Sequence, residues 1–102
     1  MNTQESILLN NMGMNFKNQG KIDKAIEFFE NSIALCEDEY VLINLGCTYS
    51  LKKNIPKAIE CYKRAIEINE NLPTAHLNLA HSLLLAKKYK EGFKEYEYRL
   101  EC

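Results

Sequence analysis

The sequence lacks an excess of charge of either sign and has no long apolar run. Its net charge is −1 at pH 7. Nucleic acids and anionic membranes bind basic surfaces, so we expect neither as a partner. No stretch approaches the roughly 18 consecutive apolar residues from which a membrane-spanning helix is inferred. The first residues, MNTQES, show no signal-peptide pattern, and we therefore expect a cytoplasmic protein.

Motifs for catalysis and for metal or disulfide chemistry are also missing. The four cysteines, Cys36, Cys47, Cys61 and Cys102, show no C-x-x-C spacing, and without a secretion signal we expect reduced thiols. No Ser/His/Asp set, phosphate-binding loop or pair of catalytic carboxylates is present, so we expect no enzyme activity and no cofactor. The chain has 102 residues, of which 46% are hydrophobic, and this indicates a single globular domain.

Proline is scarce and occurs where a helix can begin, at Pro56 and Pro73. No segment shows the alternation of a β-strand, whereas apolar residues recur at helical spacing in six segments. Gly20 suits a tight turn between the first two helices, and Asp38 is placed to cap the third. The predicted helices span 5–18, 22–36, 39–52 and 56–69, then one from Pro73, and a last one from about Lys90 to the C-terminus.

Small residues recur at a fixed interval along the chain. Gly13, Gly46 and Ala80 lie 33 and 34 residues apart. A second series, Ala25, Ala58 and Gly92, keeps the same steps, and each member is followed four residues later by an aromatic residue: Phe29, Tyr62 and Tyr96. A period of this length indicates a stacked array of helix pairs. The small residues let paired helices approach closely, and the aromatic residues fill the space between pairs.

This pattern resembles the tetratricopeptide repeat, whose period is roughly 34 residues. The resemblance implies an all-α fold, a right-handed α-solenoid of three antiparallel helix pairs. It covers residues 1–102 as a single domain with repeats at about 6–38, 39–72 and 73–102. The sequence departs from the family pattern at Ser32, which replaces an alanine, and most in the third repeat: His76 replaces a large apolar residue, Ala80 the glycine, and Gly92 and Arg99 two alanines.

The resemblance also implies that the first helix of each pair lines a concave groove. Asparagine lies two residues before each small marker, at Asn11, Asn44 and Asn78, so we expect a row along the groove. An asparagine amide both donates and accepts, and can therefore hold the backbone of an extended peptide. The row is similar to the asparagine ladder of repeat domains in O-linked glycosyltransferases. The alternative is that these side chains only brace neighbouring helices.

The other residues predicted to line the groove make it neutral and partly apolar. They are Asn10, Met14, Lys17, Tyr40, Ile43, Cys47, Ser50, Thr74, Leu77, His81 and Leu84. One subclass of the family binds the carboxylate of chaperone tails through lysines and an arginine. Asn10, Met14, Thr74 and Asn78 stand at those places here, so we do not expect that ligand. Met14, Cys47 and His81 also align, but a mixed set of three does not favour a metal site.

The favoured function is a non-catalytic module that binds a protein or peptide, and two alternatives depend on the end of the chain. Residues Glu91 to Leu100 resemble the closing repeat of bacterial proteins that are often joined to a glycosyltransferase domain. The chain could accordingly be the N-terminal part of such an enzyme. A last helix without a cap would leave Phe93, Tyr96 and Leu100 uncovered, and this predicts self-association as the other alternative.

Overall fold

The computed structural model describes residues 2–86, and over this range it contains five α-helices. Their bounds are α1 Asn2–Asn18, α2 Ile22–Leu35, α3 Glu39–Leu51, α4 Ile55–Ile68 and α5 Pro73–Leu85. Short connections join them, so consecutive helices pack antiparallel. The predicted sixth helix, with Phe93, Tyr96, Arg99 and Leu100, lies outside the described residues. The prediction that α1 begins at residue 5 is wrong, because its polar first turn extends the helix without adding apolar periodicity.

The helix boundaries follow local rules that the sequence makes visible. Asp38 caps α3 as predicted, since its Oδ1 accepts from the backbone N–H groups of Tyr40 at 2.8 Å and Val41 at 3.3 Å. Gly20 lies in the turn between α1 and α2 with φ at +81°, a backbone conformation that favours glycine. Pro73 is the first residue of α5, and Pro56 lies in the first turn of α4. Asn54 caps α4, which was not predicted: its Oδ1 accepts from the N–H of Lys57 at 3.4 Å.

The glycine markers lie at the closest helix–helix contacts, as the periodicity predicts. A Cβ atom added to Gly13 would stand 2.7 Å from Cε1 of Phe29, and one added to Gly46 would stand 2.6 Å from Cε1 of Tyr62. Real Cβ atoms do not approach a ring so closely. Ala80, the third marker, is also buried. The two described helix pairs, α1 with α2 and α3 with α4, therefore depend on the absence of a side chain at one position each.

The core runs along the stack between the pairs. Phe29 and Ala58 are fully buried, and Tyr62 is almost so. Leu42, Leu79 and Leu83 continue the same cluster through α3 and α5. His76 is buried on α5, where its Nε2 lies 3.0 Å from the carbonyl oxygen of Glu70. Within the described range, no helix combines the length and the apolar character that crossing a membrane requires.

A buried pair of serines joins α1 to α2, and this explains why Ser32 replaces a small apolar residue. The Ser6 hydroxyl donates to the carbonyl oxygen of Ser32 at 3.0 Å, and the Ser32 hydroxyl donates to the carbonyl oxygen of Ser6 at 2.8 Å. The two hydroxyl oxygens are themselves 2.8 Å apart. Both side chains are buried, so each hydroxyl needs its partner.

We expect the two serines to show strong energetic coupling. Ser32→Ala should lower the free energy of unfolding by about 1–2 kcal/mol, because it removes two hydrogen bonds in a buried site. Ser6→Ala should have a similar effect. The double variant should cost clearly less than the sum, since the contact between the two hydroxyl groups is already lost in each single variant and is counted twice in the sum. Urea denaturation of the wild type, the two single variants and the double variant measures this double-mutant cycle. Additive effects on the free energy of unfolding would contradict the coupling.

Candidate groove site

The first helices α1, α3 and α5 each present one equivalent stripe of side chains to solvent. The stripe follows the spacing i, i+4, i+7 and i+11, which keeps its members on one side of a helix. All twelve side chains are exposed or half-exposed. We call this surface the groove face; its residues are Ile7, Asn11, Met14, Asn18, Tyr40, Asn44, Cys47, Leu51, Thr74, Asn78, His81 and Leu85.

Side-chain bonds between adjacent first helices hold the middle of the groove face together. The Nδ2 of Asn44 on α3 donates to Oδ1 of Asn10 on α1 at 3.2 Å. The Nδ2 of Asn78 on α5 lies 3.7 Å from Sγ of Cys47 on α3. Each of these two asparagines therefore reaches back to the preceding first helix.

The predicted row of Asn11, Asn44 and Asn78 gains a further neighbour, Asn10. The neighbour of Asn44 across the helix boundary is Asn10, while Asn11 is exposed and faces solvent. The reason is geometric: Asn11 and Asn44 hold equivalent positions in their own helices, but adjacent helices bring non-equivalent positions into contact. Asn10, predicted only as a further lining residue, thus joins the row.

Bracing of the helices uses only part of the hydrogen-bonding capacity of these amides. A side-chain amide has two N–H donors and an oxygen with two lone pairs. The bonds described above take one donor each from Asn44 and Asn78, and both side chains remain half-exposed. The carbonyl oxygen and the second N–H of each amide are therefore available to another molecule. The bracing interpretation and the ligand-binding interpretation are compatible in this geometry.

Cys47 lies at the centre of the groove face and accepts hydrogen bonds from two sides. The Tyr62 hydroxyl donates to its Sγ at 3.4 Å, in addition to the contact from Asn78. Burial, and then the hydrogen bond to Cys47, raise the pKa of the Tyr62 hydroxyl, so this group keeps its proton at neutral pH. The core thereby fixes the position of the thiol.

The remaining predicted lining residues divide between the surface and the core. Tyr40, Thr74 and His81 are exposed, and Met14 is half-buried against the core cluster. The prediction for Ile43 is wrong, because this side chain is only 8% exposed and packs in the core. Its position points toward neighbouring helices rather than toward solvent.

Apolar exposure and charge are distributed unequally between the two sets of helices. In the part of the chain that the structure describes, every exposed large hydrophobic residue except Ile68 lies on a first helix. These residues are Ile7, Leu8, Tyr40, Leu51, Leu77 and Leu85. The charged residues of the first helices are only Glu5, Lys17 and Glu39, whereas α4 alone carries Lys57, Glu60, Lys63, Arg64 and Glu67. An exposed apolar surface with few charges is typical of an interaction site.

A cavity of about 220 Å³ opens at the N-terminal end of the groove face, between α1 and the start of α3. Ile7 and Asn10 form its α1 wall, and Tyr40 and Val41 form its α3 wall. Asp38, the N-cap residue of α3, also lines it. The sequence gives no sign of this cavity, because the position of Asp38 before a helix indicates only a capping role.

A second cavity, of about 260 Å³, lies on the other side of the stack, between α2 and α4. It contains charges of both signs, among them Glu30, which accepts from the Tyr49 hydroxyl at 2.5 Å. Burial raises the pKa of the Cys61 thiol in its wall to about 12, so this thiol is a poor nucleophile at neutral pH. Among residues 2–86, no three or more His, Cys, Asp or Glu side chains are grouped to hold a metal ion.

Comparison with protein families gives one clear match. The model of the tetratricopeptide repeat family matches residues 4–71, which is most of the chain. A comparison with curated proteins finds no match.

Solved structures of low sequence identity share the fold. The tetratricopeptide domain of Arabidopsis OM64 superposes with a TM-score of 0.93 at 18% identity, over 98% of this chain and 84% of that one. The first such domain of Spaghetti (RPAP3), solved with the HSP90 peptide SRMEEVD, gives 0.93 at 23% identity over 97% and 79%. The Sgt2 domain from Aspergillus fumigatus gives 0.89 at 22% identity over 95% and 65%. At these identities the likeness establishes the α-solenoid fold.

Proposed function

The chain belongs to the tetratricopeptide repeat family, and on this premise we propose that it is a non-catalytic cytoplasmic module that binds an extended peptide or a partner helix on its groove face. The observation that carries the proposal is the exposed apolar character and low charge of this surface. The first helices expose Ile7, Tyr40, Leu51 and Leu85 around half-exposed amides and carry few charges. Solvent-exposed apolar side chains give up little favourable interaction with water when a ligand covers them, and they gain apolar contact.

The proposed role of the asparagines is to hold the ligand backbone. Asn44 and Asn78 are already fixed by their bonds to Asn10 and Cys47, so little rotamer freedom is lost when a ligand binds. Their free amide oxygens can accept from peptide N–H groups, and their second N–H groups can donate to peptide carbonyls. Asn11 is exposed and would extend the same row at the N-terminal side. Contacts to the backbone would give affinity, and the apolar side chains would give selectivity.

The peptide class should differ from the acidic HSP90 peptide in the Spaghetti complex. Asn10, Met14, Thr74 and Asn78 occupy the places where the chaperone-binding subclass uses cations. None of them carries a positive charge, so a carboxylate would find no salt-bridge partner here as it would with lysine or arginine. We therefore propose a neutral or basic extended segment as the ligand.

The test is peptide capture by the wild type and by a triple variant, Asn11→Ala, Asn44→Ala and Asn78→Ala. A displayed library of random peptides selects ligands for the wild type, and the affinity of both proteins for these ligands is then measured. We expect the triple variant to bind at least about 100-fold more weakly, from the loss of several hydrogen bonds of about 1 kcal/mol each. Its free energy of unfolding should fall by only about 1–2 kcal/mol.

A matched control replaces three exposed asparagines outside the groove face, with Asn15→Ala, Asn31→Ala and Asn71→Ala. This protein should capture the selected peptides as the wild type does. Undiminished binding by the groove variant would overturn the proposed role of the asparagines. Failure to select any peptide with the wild type would overturn the proposed function. The alternatives, self-association and an N-terminal part of a glycosyltransferase, stay predictions because both depend on residues beyond Ala86.

A further inference from the structure

The cavity at the N-terminal end of the groove face has a chemistry of its own. It is continuous with the groove face through Ile7 and Tyr40, which belong to both. It also borders Asn10, the partner of Asn44. We infer that this cavity is a specificity subsite that takes an arginine side chain of the bound peptide. The inference rests on the proposed function, and it adds which residue the peptide must carry.

The charge in the cavity selects a cation. Asp38 contributes a carboxylate to the lining, and no lysine or arginine is among the lining residues that the structure describes. Its Oδ1 is occupied by the N–H groups of Tyr40 and Val41, which leaves Oδ2 for a ligand. Arg64 does not neutralise this site, because it forms an ion pair with Glu37. An acidic peptide side chain would be repelled here, and a guanidinium would gain a charge-assisted hydrogen bond.

The shape and the apolar wall favour arginine over a small cation. Tyr40 is 59% exposed and Ile7 is 55% exposed, so both present apolar surface at the opening. A guanidinium stacks on an aromatic face while its aliphatic stem packs on apolar side chains. The volume of about 220 Å³ leaves room for such a long side chain.

The test uses pools of acetylated and amidated octapeptides, whose blocked ends carry no charge. In each pool one position is fixed as arginine, norleucine or glutamate, and binding to the wild type is measured by fluorescence anisotropy. At one position the arginine pool should bind about tenfold more tightly than the norleucine pool, as one hydrogen bond to a charged group provides. The glutamate pool should bind more weakly than both.

The variant Asp38→Asn isolates the charge, because asparagine caps a helix as well as aspartate does. In this variant the arginine pool should bind only as tightly as the norleucine pool, whose own affinity should not change. The melting temperature should change by no more than a few degrees. Glu39→Gln is the matched control, since Glu39 is the adjacent carboxylate and does not line the cavity; it should keep the arginine preference.

Two results would overturn the subsite without touching the proposed function: equal binding of arginine and norleucine pools at every position, or an unchanged arginine preference in Asp38→Asn. If no pool binds at any position, the proposed function fails, and the subsite fails with it.

Discussion

Replacing Phe29 with alanine should lower the free energy of unfolding by about 3–5 kcal/mol, a large part of the stability of a domain of this size. Phe29 is fully buried, and its ring fills the space that Gly13 leaves open between α1 and α2. Truncation would leave a cavity that α1 and α2 can close only by shifting relative to each other. Urea denaturation followed by circular dichroism measures the change.

The adjacent residue provides the control for this experiment. Phe28 is half-buried and stacks on Phe16 at a ring-centroid distance of 5.2 Å. Phe28→Ala should cost roughly 1–2 kcal/mol, since it loses an aromatic pair and partial burial but creates no enclosed cavity. Equal costs at positions 28 and 29 would contradict the assignment of Phe29 as the aromatic residue that fills the first hairpin.

Replacing Gly46 with leucine should be comparably severe, with a loss of at least about 3 kcal/mol. The first atom of the new side chain would already stand 2.6 Å from the buried ring of Tyr62. Tyr62 is only 2% exposed, and its hydroxyl is bonded to Cys47, so the ring cannot swing away cheaply. The pair α3 with α4 would have to separate, and the groove face would be distorted at Cys47.

Asn31→Leu tests whether the effect arises from the helix contact rather than from adding a leucine. Asn31 is exposed on α2, where a leucine should change the free energy of unfolding by less than about 0.5 kcal/mol. A stable Gly46→Leu protein would show that α3 and α4 do not need a residue without a side chain at their contact. That result would remove the physical basis of the repeat period.

Much of the fold could be predicted because its determinants are local or periodic. Gly46 and Tyr62 repeat the spacing of Gly13 and Phe29, and each aromatic ring packs over its glycine. Asp38 could be assigned as a cap from its place before an apolar helical segment. The start of α1 could not, because Thr3, Gln4 and Glu5 extend the helix as exposed residues and add no apolar position to mark the period.

The candidate site was harder to predict because it depends on contacts between helices. The repeat period makes Asn11 and Asn44 equivalent, but it gives no sign that the Asn44 amide bonds to Asn10. The buried bonds between Ser6 and Ser32 join residues far apart in sequence, and a serine alone gives no signal of such a partner. The carboxylate of Asp38 has two possible roles, capping and ligand binding. The sequence indicates the first, whereas the second is inferred only from the cavity that Asp38 lines.

The most direct test of the account is a nuclear magnetic resonance measurement of where a selected peptide contacts the protein. We predict intermolecular nuclear Overhauser effects from the side-chain amides of Asn44 and Asn78 and from the ring of Tyr40. We predict none from Glu30 or Arg64 on the opposite side of the stack. Contacts confined to α2 and α4, with unshifted asparagine amides, would contradict the claim that the first helices form the binding surface.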